Sequence, residues 1–447
     1  MTEIRVVGMG FVGIPLAVAF DAVGHDVVGF DVDPERVSEL RQGRDPTREV
    51  GEGALRETDA QFTDDPAALD GFDYAVVTVP TPIDDWHRPD LATVTAAGRT
   101  VGDHLDPGAT VVLESTVYPG GTREVLVPAL EAASGLAAGE DFSVGYSPER
   151  LAPGPGDGYS LRQTSKIVSA DDEQTLADLV ALYESIIDET IHPAPTIETA
   201  EAAKCLENVQ RDVNIALVNE FVVGCRSLDA DLDPWAVLDA ARTKPAFHDY
   251  RPGLVGGHCI PVDPHLLAKR FDRSGFHPAI IESARRTNDS FPGFLAERVV
   301  KNVAGVEARA RTDGANPDSH LERPPAGTGP SGFRVLVLGF AYKANVNDVR
   351  NDALETLVEE LDAFGAAVHG HDPMVDDDRL AATFGVEPVS RPQFSAYDAV
   401  VVTTLHDDFR EYDLDEHAAS DAPPYVLDLT GHFRRPADPL PEGDDVS

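Results

Sequence analysis

The residues best suited to chemistry surround one cysteine. Cys259 lies in Gly256-Gly257-His258-Cys259-Ile260-Pro261-Val262-Asp263-Pro264. Two consecutive glycines let a ligand approach the backbone closely. The neighbouring His258, or the N–H groups of the turn, would favour the thiolate form of Cys259. This pattern predicts a nucleophile in a glycine-rich loop.

Two other interpretations of the cysteines are weaker. Cys205 and Cys225 lie in apolar helical surroundings that are typical of inert thiols. Oxygen, nitrogen and sulfur ligands near Cys259 would permit a metal site, but their spacing lacks the paired Cys-x-x-Cys of structural zinc sites. We therefore predict no bound metal. The candidate ligands of such a site are His258, Cys259, Asp263 and His265.

A second group of polar side chains falls on a long helix predicted from Thr199 to Arg226. Lys204, Asn208 and Arg211 stand at positions i, i+4 and i+7, which places them on one face of the helix. Their neighbours are largely apolar, which predicts a mostly buried helix. A buried lysine is costly unless it pairs or titrates, so this face is interpreted as functional. The alternative is a solvated polar stripe.

A cofactor signature opens the chain. A buried strand leads directly into Gly8-Met9-Gly10-Phe11-Val12-Gly13, a G-x-G-x-x-G pattern that begins a helix. The first glycine permits a tight turn, the second admits a pyrophosphate, and the third allows close helix–strand packing. Asp31 ends the next strand, where an acidic residue binds ribose hydroxyls and repels a 2′-phosphate, so NAD is favoured over NADP. Arg36 is close enough in the chain to assist on the adenosine side. The alternative is a glycine-rich α/β domain that binds nothing.

Polar residues follow three more predicted strands of the first domain. In open α/β sheets, ligands bind beyond the carboxyl ends of the strands, so these segments should border one crevice. The segments are Thr78-Val79-Pro80-Thr81-Pro82, Glu114-Ser115-Thr116 and Tyr146-Ser147-Pro148-Glu149-Arg150. Taken one at a time, each is an ordinary strand-to-turn change.

A cofactor that accepts hydride, a nucleophilic cysteine, a lysine and an asparagine together fit the two-step oxidation of a primary alcohol. Loss of one hydride gives an aldehyde, and a thiolate then captures it as a thiohemiacetal. Loss of a second hydride gives a thioester, which water hydrolyses to an acid. Covalent capture lets one site perform both oxidations without releasing the aldehyde.

Composition limits the broad class of the protein. The 447 residues predict two or three domains. With 36 Lys and Arg against 78 Asp and Glu, the net charge is −42, which argues against nucleic acid and anionic membranes as partners. Disorder is the usual interpretation of such acidity, but apolar strand-like runs recur throughout. A folded protein of a high-salt cell fits better, because the Debye length falls to about 3 Å at 1 M salt.

Three cysteines are too few for a disulfide framework. No leader pattern and no apolar run of membrane-spanning length appears, so a cytoplasmic protein is expected.

Alternating strands and helices predict two α/β regions with parallel sheets, separated by helices. Strands are predicted at Ile4–Gly8, Asp26–Val32, Tyr74–Val79, Thr110–Ser115, Phe142–Tyr146, Phe333–Gly339, Val368–His371, Ala399–Thr403 and Tyr425–Leu429. The fold class is therefore α/β, with two Rossmann-like, doubly wound domains joined by a long central helix and a helical middle domain. The predicted domains are 1–195 for NAD, 196–306 for the helical centre with the Cys259 loop, 307–332 as linker or insertion, and 333–447.

With these motifs in order, the sequence resembles the UDP-glucose/GDP-mannose dehydrogenase family of NAD-dependent nucleotide-sugar 6-dehydrogenases. The resemblance covers nearly the whole chain. Beyond the segments above, its motifs include Pro119-Gly120, Ala203-Lys204 to Asn208, and Gly339-Phe340-Ala341-Tyr342-Lys343 to Arg350.

The resemblance implies a role for each matching residue. Cys259 is the expected nucleophile and Lys204 the general acid/base and oxyanion partner, with Asn208 and Asp263 positioning a water and the oxyanion. Thr116 and Glu149 are expected near that water and the nicotinamide. Expected NAD contacts are Gly8, Gly10, Phe11, Val12, Gly13, Asp31, Arg36, Thr81, Thr116 and Arg350. Expected contacts to the UDP-sugar are Arg150, Leu151, Lys204, Asn208, Arg211, Gly256, Tyr342 and Lys343. The resemblance also implies that the last domain binds UDP, that the long helix forms a homodimer, and that the product serves polysaccharide biosynthesis.

Two segments indicate the expected sugar, the Cys259 loop and part of the long helix. Members acting on UDP-glucose commonly carry a lysine where this chain has Val262. At Val262 and in the run Arg211-Asp212-Val213-Asn214, this chain resembles the branch of the family that acts on UDP-N-acetylhexosamines, especially UDP-N-acetyl-D-mannosamine. UDP-glucose and UDP-N-acetylglucosamine are the alternatives, since the segments 242–251 and 307–332 depart from that branch.

Two unrelated functions are also weighed. A nucleotide-sugar epimerase typically uses a Tyr-x-x-x-Lys pair, but Ala200 stands four residues before Lys204. A protein that only senses NAD would not need Cys259.

Overall fold

The structure is a computed structural model, which describes residues 1–47, 49–84, 87–150, 161–225, 228, 232–257, 259–304, 332–412 and 424–433. Two residues from the sequence analysis, Leu151 and His258, lie outside the described residues, as does nearly all of the segment 307–332. The described chain divides into two compact units. The first comprises Met1–Val209 with Val262–Pro278, and the second comprises Gln210–Pro261 with Ala279–Ser447. The division into four segments that the sequence analysis gave stays a prediction.

An eight-stranded sheet forms the centre of the first unit, in the order β3-β2-β1-β4-β5-β6-β7-β8. All neighbouring pairs are parallel except β6 with β7. The strands are β1 Glu3–Val7, β2 Asp26–Phe30, β3 Gln61–Thr63, β4 Tyr74–Val77, β5 Thr110–Leu113, β6 Ser143–Tyr146, β7 Lys166–Ala170 and β8 Ile191–Pro193. The first six strands form the doubly wound arrangement. Successive strands are added toward one edge of the sheet from β1 to β3 and toward the other edge from β4 to β6.

A five-stranded parallel sheet, in the order β11-β10-β9-β12-β13, forms the centre of the second unit. Its strands are β9 Arg334–Leu338, β10 Ala367–His371, β11 Glu387–Pro388, β12 Ala399–Val402 and β13 Tyr425–Asp428. The central strands of both sheets are buried apolar runs, which is typical of parallel sheets covered on both faces. This confirms the predicted fold class and each predicted strand to within two residues at either end.

The sequence reasoning did not predict β3, β7, β8 or β11. β3 and β8 have three residues each and β11 has two, too short for a periodic pattern. β7 begins with a lysine, which argues against a buried strand unless the lysine has a partner.

Helices pack on these sheets and connect them. In chain order they are α1 Gly13–Ala22, α2 Pro34–Arg41, α3 Gly51–Glu57, α4 Ala92–Gly102, α5 Val127–Ser134, α6 Glu173–Glu184, α7 Ile197–Cys225, α8 Pro234–Ala241, α9 Asp263–Arg273, α10 Ala279–Val303, α11 Asp352–Ala363 and α12 Asp377–Phe384. Short turns of 3-10 or π helix lie at Pro66–Leu69, Thr122–Leu126, Leu161–Gln163, Phe394–Ala396 and Asp407–Glu411. Among the described helices, none is both long and apolar enough to cross a membrane.

Helix α7 confirms the predicted long helix, with one correction. Lys204 is buried and Asn208 is half-buried, but Arg211 is exposed. Most residues of α7 are buried or half-buried, but Leu206 is 59% exposed and Leu217 is 66% exposed, which the sequence did not indicate. The apolar neighbours that suggested burial extend around the helix onto a second face.

Candidate active site

The turn from β1 into α1 requires glycine at two positions. Gly8 has φ of +102°, in the left-handed region that favours glycine. The Gly8 N–H donates to the Phe30 carbonyl at 2.8 Å, and the Thr78 hydroxyl donates to the Gly8 carbonyl at 2.7 Å. A Cβ on Gly13 would lie 1.9 Å from the Gly8 oxygen. The first and third glycines of the pattern therefore bring the strand and the helix together.

Gly10 has a different environment. A Cβ there would meet no described protein atom within 4 Å, so its glycine leaves open space rather than resolving a clash. At the same end of α1, the cap residue Val12 provides no side-chain hydrogen bond. The first-turn N–H groups of a helix have no acceptor within it, and they attract anions together with the helix dipole. This space and this helix end fit a pyrophosphate, and the half-buried Phe11 and Val12 form the turn.

Asp31 lies beside this turn, directly after β2, and is only 6% exposed. Its Oδ2 accepts the Met9 N–H at 2.7 Å and the Arg36 guanidinium at 3.2 Å, while its Oδ1 accepts the Asp33 N–H at 2.9 Å. These bonds fix a carboxylate at the strand end. A fixed negative charge there suits ribose hydroxyls and disfavours a 2′-phosphate.

The sheet order brings the other three predicted segments to the same edge, because β4, β5 and β6 follow β1 side by side. Thr81, Thr116 and Glu149 come after these strands and are all half-buried. The Ser115 hydroxyl donates to the Val79 carbonyl at 2.6 Å, which ties the loop after β5 to the loop after β4.

Behind this edge lies a buried ion pair that the sequence analysis missed. The Lys166 ammonium is 2.8 Å from one Glu114 oxygen, and the Tyr183 hydroxyl donates to the other at 2.5 Å. Burial raises the pKa of Glu114, and the neighbouring Lys166 opposes that rise. The pair anchors the segment leading to Thr116. The one available signal was a lysine opening an otherwise apolar run.

Arg150, a predicted sugar contact, has partners within its own unit. Its guanidinium lies 2.7 Å from the carboxylate of Glu207 on α7 and 3.0 Å from the Ser165 carbonyl and hydroxyl. These contacts orient Arg150 on the side of α7 that also carries Lys204.

Lys204, Asn208 and Asp263 form a polar cluster in the first unit. The Asn208 amide donates to Asp263 Oδ2 at 2.5 Å, and Lys204 is 8% exposed. Asp263 is the first residue of α9 and is 2% exposed. Burial raises its pKa to about 6, although Lys204 and the Asn208 amide act in the opposite direction. The cluster can exchange protons near neutral pH and hold a developing negative charge.

Glu201 is a second residue that the sequence analysis missed. Its buried carboxylate accepts the Gly120 N–H at 2.5 Å and the Thr122 N–H at 2.8 Å. Burial raises its pKa to about 7, against the effect of these hydrogen bonds. It fastens the segment after Thr116 to α7, one turn before Lys204. No pattern in the sequence separates it from other helical glutamates.

Cys259 is exposed in the second unit, whereas Cys205 and Cys225 are buried. Burial raises the pKa of both buried thiols, so they remain protonated. In the loop before Cys259, a Cβ on Gly256 would lie 2.1 Å from the Asn351 amide oxygen, and one on Gly257 would lie 3.6 Å from the Tyr342 ring. The close approach to Asn351 therefore requires glycine at position 256, while the φ of +88° favours glycine at position 257.

The predicted UDP contacts Tyr342 and Lys343 are half-buried in the loop that follows β9. The Tyr342 N–H donates to the Asp348 carbonyl at 3.0 Å. Arg350 forms a two-pronged ion pair with the Asp348 carboxylate, at 2.7 Å and 2.5 Å. The predicted reach of Arg350 to the cofactor stays a prediction.

Three family models match successive parts of this chain. They describe the NAD-binding domain of the UDP-glucose/GDP-mannose dehydrogenase family at residues 2–187, its central domain at 198–290, and its UDP-binding domain at 336–435. The chain belongs to the UDP-glucose/GDP-mannose dehydrogenase family. It is therefore an NAD-dependent nucleotide-sugar 6-dehydrogenase that uses a UDP-sugar, as the resemblance implied.

Relatives within the family differ in their sugars. A UDP-N-acetyl-D-glucosamine 6-dehydrogenase of Pseudomonas aeruginosa is 41% identical over 91% of this chain and 91% of its own length. A UDP-N-acetyl-D-mannosamine dehydrogenase of Pyrococcus horikoshii is 31% identical over 97% of this chain and 96% of its own. The structure of a UDP-glucose dehydrogenase from Pyrobaculum islandicum superposes with a TM-score of 0.80 at 28% identity, covering 96% of this chain and 94% of that one.

Proposed function

We propose that this dehydrogenase oxidises the C6 hydroxymethyl group of a UDP-N-acetylhexosamine to a carboxylate, with Cys259 as the covalent nucleophile. The observation that carries the proposal is the difference among the three thiols. Cys259 is exposed in a loop shaped by two glycines, while burial keeps Cys205 and Cys225 protonated. A reaction that needs a thiolate has one suitable sulfur among the described cysteines.

The electron balance requires two equivalents of NAD. NAD accepts one hydride in each oxidation, so one sugar yields two NADH. Between the oxidations the Cys259 sulfur bonds to C6 of the aldehyde, forming a thiohemiacetal, and the second oxidation leaves a thioester. Water then attacks C6, the carbon–sulfur bond breaks, and the thiolate leaves as the carboxylate forms.

The proton and oxyanion roles are assigned to the cluster on α7 and α9. Lys204 takes the proton of the C6 hydroxyl and later donates to the oxygen that develops negative charge. Asn208 and Asp263 orient the hydrolytic water. A carboxyl whose pKa is raised to about 6 by burial is suited to accept a proton from that water. Thr116 and Glu149, at the strand ends, are assigned to the same water and the nicotinamide end.

The sugar is assigned to the acetamido class. The 41% identity to a UDP-N-acetyl-D-glucosamine 6-dehydrogenase supports that substrate first. UDP-N-acetyl-D-mannosamine, the first expectation from the sequence, has the support of Val262 and of a relative at 31% identity. The two sugars differ only in the configuration at C2, so a single contact near that carbon decides between them.

We also propose that the enzyme is a homodimer through α7. Leu206 and Leu217 are exposed and lie eleven residues apart, which places them on one face of that helix about three turns apart. A second copy of the same face would bury both leucines in a symmetric contact.

A panel of UDP-sugars with NAD in high salt tests the reaction and the sugar together. We expect two NADH per sugar, with UDP-N-acetylglucosamine or UDP-N-acetylmannosamine preferred at least tenfold in kcat/KM over UDP-glucose. Preference for UDP-glucose would contradict the acetamido assignment, and turnover without net NADH would indicate an epimerase.

The Cys259→Ser variant tests the nucleophile. We expect it to lose uronate formation, because an alcohol at this position is a far weaker nucleophile than a thiolate. Cys225→Ala is the matched control, since that thiol is buried, and it should keep full yield. Undiminished uronate from Cys259→Ser would refute the covalent role.

A further inference from the structure

One buried amide holds the start of the nucleophile loop by its backbone. Asn219 lies on α7 and is fully buried. Its Oδ1 accepts the Gly253 N–H at 2.9 Å, and its Nδ2 donates to the Gly253 carbonyl at 3.0 Å. A single side chain thus pairs both backbone groups of one loop residue, which fixes the position of Gly253 and the orientation of its peptide groups.

A chain of buried polar groups holds Asn219 in turn. Its Nδ2 donates to Asn288 Oδ1 at 2.9 Å, and the Asn288 Nδ2 donates to the Asp212 carboxylate at 2.8 Å and to its carbonyl at 3.0 Å. The Arg285 guanidinium lies 2.5 Å from the same carboxylate. Each of these residues is at most 5% exposed. The network therefore runs without interruption from α10 through α7 to the loop.

Stability alone does not account for this network. Replacing a buried ion pair by apolar side chains of similar volume is often neutral or stabilising, because desolvation offsets the attraction. Hydrogen-bonded groups in a buried network instead fix distances and directions, and each unsatisfied partner is costly. The network is therefore suited to defining one geometry for the backbone that it holds.

That backbone leads directly to the sulfur. Cys259 lies six positions after Gly253, and Val255 between them is buried. Gly256 then packs so closely on Asn351 that a Cβ would lie 2.1 Å from its amide oxygen. The segment 253–257, called the stem here, is thus held at its start by Asn219 and at its end by Asn351.

We propose that Asn219 is a positioning residue that holds the stem, and through it sets where the Cys259 sulfur is presented. This inference rests on the proposed function, in which Cys259 is the nucleophile. Asn219 bonds the backbone of Gly253, and it acts on Cys259 through that backbone.

The Asn219→Ala variant tests the proposal. We expect kcat to fall roughly 10- to 100-fold, because a displacement of about 1 Å at a reacting group has that effect. The KM for the UDP-sugar and the affinity for NADH should change less than threefold. Iodoacetamide should also alkylate Cys259 in the native protein at a rate changed at least fivefold, as measured by mass spectrometry of the Cys259 peptide. Asn302→Ala is the control, since it removes a half-buried amide on α10, which donates to the Arg298 carbonyl.

A merely structural role would lower the melting temperature and leave the alkylation rate and the kcat of the folded fraction unchanged, which would overturn the proposal. If Asn219→Ala does not fold, hydrogen exchange on the wild-type enzyme decides. The Gly253 amide should then be protected to the level of the α7 amides, and exchange at the rate of an open loop would overturn the proposal. Failure of the proposed function is a separate result, because it appears in Cys259→Ser whatever Asn219 does.

Discussion

In both Rossmann-like regions, the chain makes the same glycine turn directly after the first strand. Gly339 follows β9 with φ of +87°, as Gly8 follows β1 with +102°. The Gly339 N–H donates to the His371 carbonyl at 3.0 Å, which matches the 2.8 Å bond from Gly8 to Phe30. Thr403 donates to the Gly339 carbonyl as Thr78 does to that of Gly8. Asp372 stands after β10 where Asp31 stands after β2.

The regions diverge at the next residues. In the first, α1 begins at Gly13 and has no side-chain cap. In the second, the next helix begins only at Asp352, and the Asn351 side chain caps it. Asp372 there accepts the N–H groups of Phe340 and Ala341 and the ring of the fully buried His406, at 2.6, 2.9 and 3.0 Å.

The comparison teaches that a shared turn does not imply a shared ligand site. The first region leaves the N-terminus of α1 without a side-chain cap, at the place where we propose that the pyrophosphate of NAD binds. The second region bonds two turn amides, those of Phe340 and Ala341, to its own carboxylate, whereas the first bonds only that of Met9.

The largest effect is expected from the glycine that only the first region needs. Gly13→Ala places a Cβ 1.9 Å from the Gly8 oxygen, so we expect a loss of about 3 kcal/mol in the free energy of unfolding. Ala344 occupies the corresponding position of the second region, where no helix begins, and Ala344→Gly should cost less than about 1 kcal/mol. Urea unfolding measures both, and equal losses would break the comparison.

Opposite pH dependence is expected from buried carboxyl groups of the two regions. Burial raises the pKa of Glu201 to about 7, so its protonated form stabilises the fold below about pH 4.5, and this contribution, about 3 kcal/mol, is lost as the pH rises through 7. Burial also acts to raise the pKa of Asp372, but hydrogen bonds from His406 and the backbone outweigh it and lower that pKa. Its contribution is present above about pH 4 and is lost as the pH falls through the lowered value.

Melting temperatures from pH 3 to 8 test these signs, taken as differences between variant and wild type so that the net charge cancels. Glu201→Gln should remove a slope between pH 5 and 7.5, and Asp372→Asn a slope below pH 4. A Glu201→Gln curve parallel to the wild type would contradict the first expectation.

The smallest effect on stability is expected at Asp31. Asp31→Asn keeps an oxygen acceptor for only one of the Met9 and Asp33 N–H groups and loses the pair with Arg36, whose side chain is 39% exposed, so the unfolding free energy should fall by about 1–2 kcal/mol. Affinity for NADH should fall roughly tenfold, with weaker rejection of NADPH, as measured by fluorescence titration. The matched Asp372→Asn should leave NADH affinity unchanged. A reversal of that pattern would remove the functional distinction between the two carboxylates.

Sequence periodicity predicted the two sheets because their central strands are buried on both faces and read as continuous apolar runs. It failed at β3, β8 and β11, which are too short for a pattern, and at β7, whose first residue is a lysine. Local composition also did not indicate the exposed leucines of α7, because apolar residues on a helix do not reveal which face has a partner in the same chain.

The sequence by itself determined the glycine turn after β1 and the place of Asp31 after β2, and it singled out Cys259 as the proposed nucleophile, since each depends on residue types at fixed short spacing. Only the tertiary structure revealed the long-range partners: Lys166 and Tyr183 for Glu114, Glu201 for the Gly120 turn, and Asn219 for Gly253. Those pairs join residues 34 to 81 positions apart. The burial that makes such contacts strong exists only after the chain has folded.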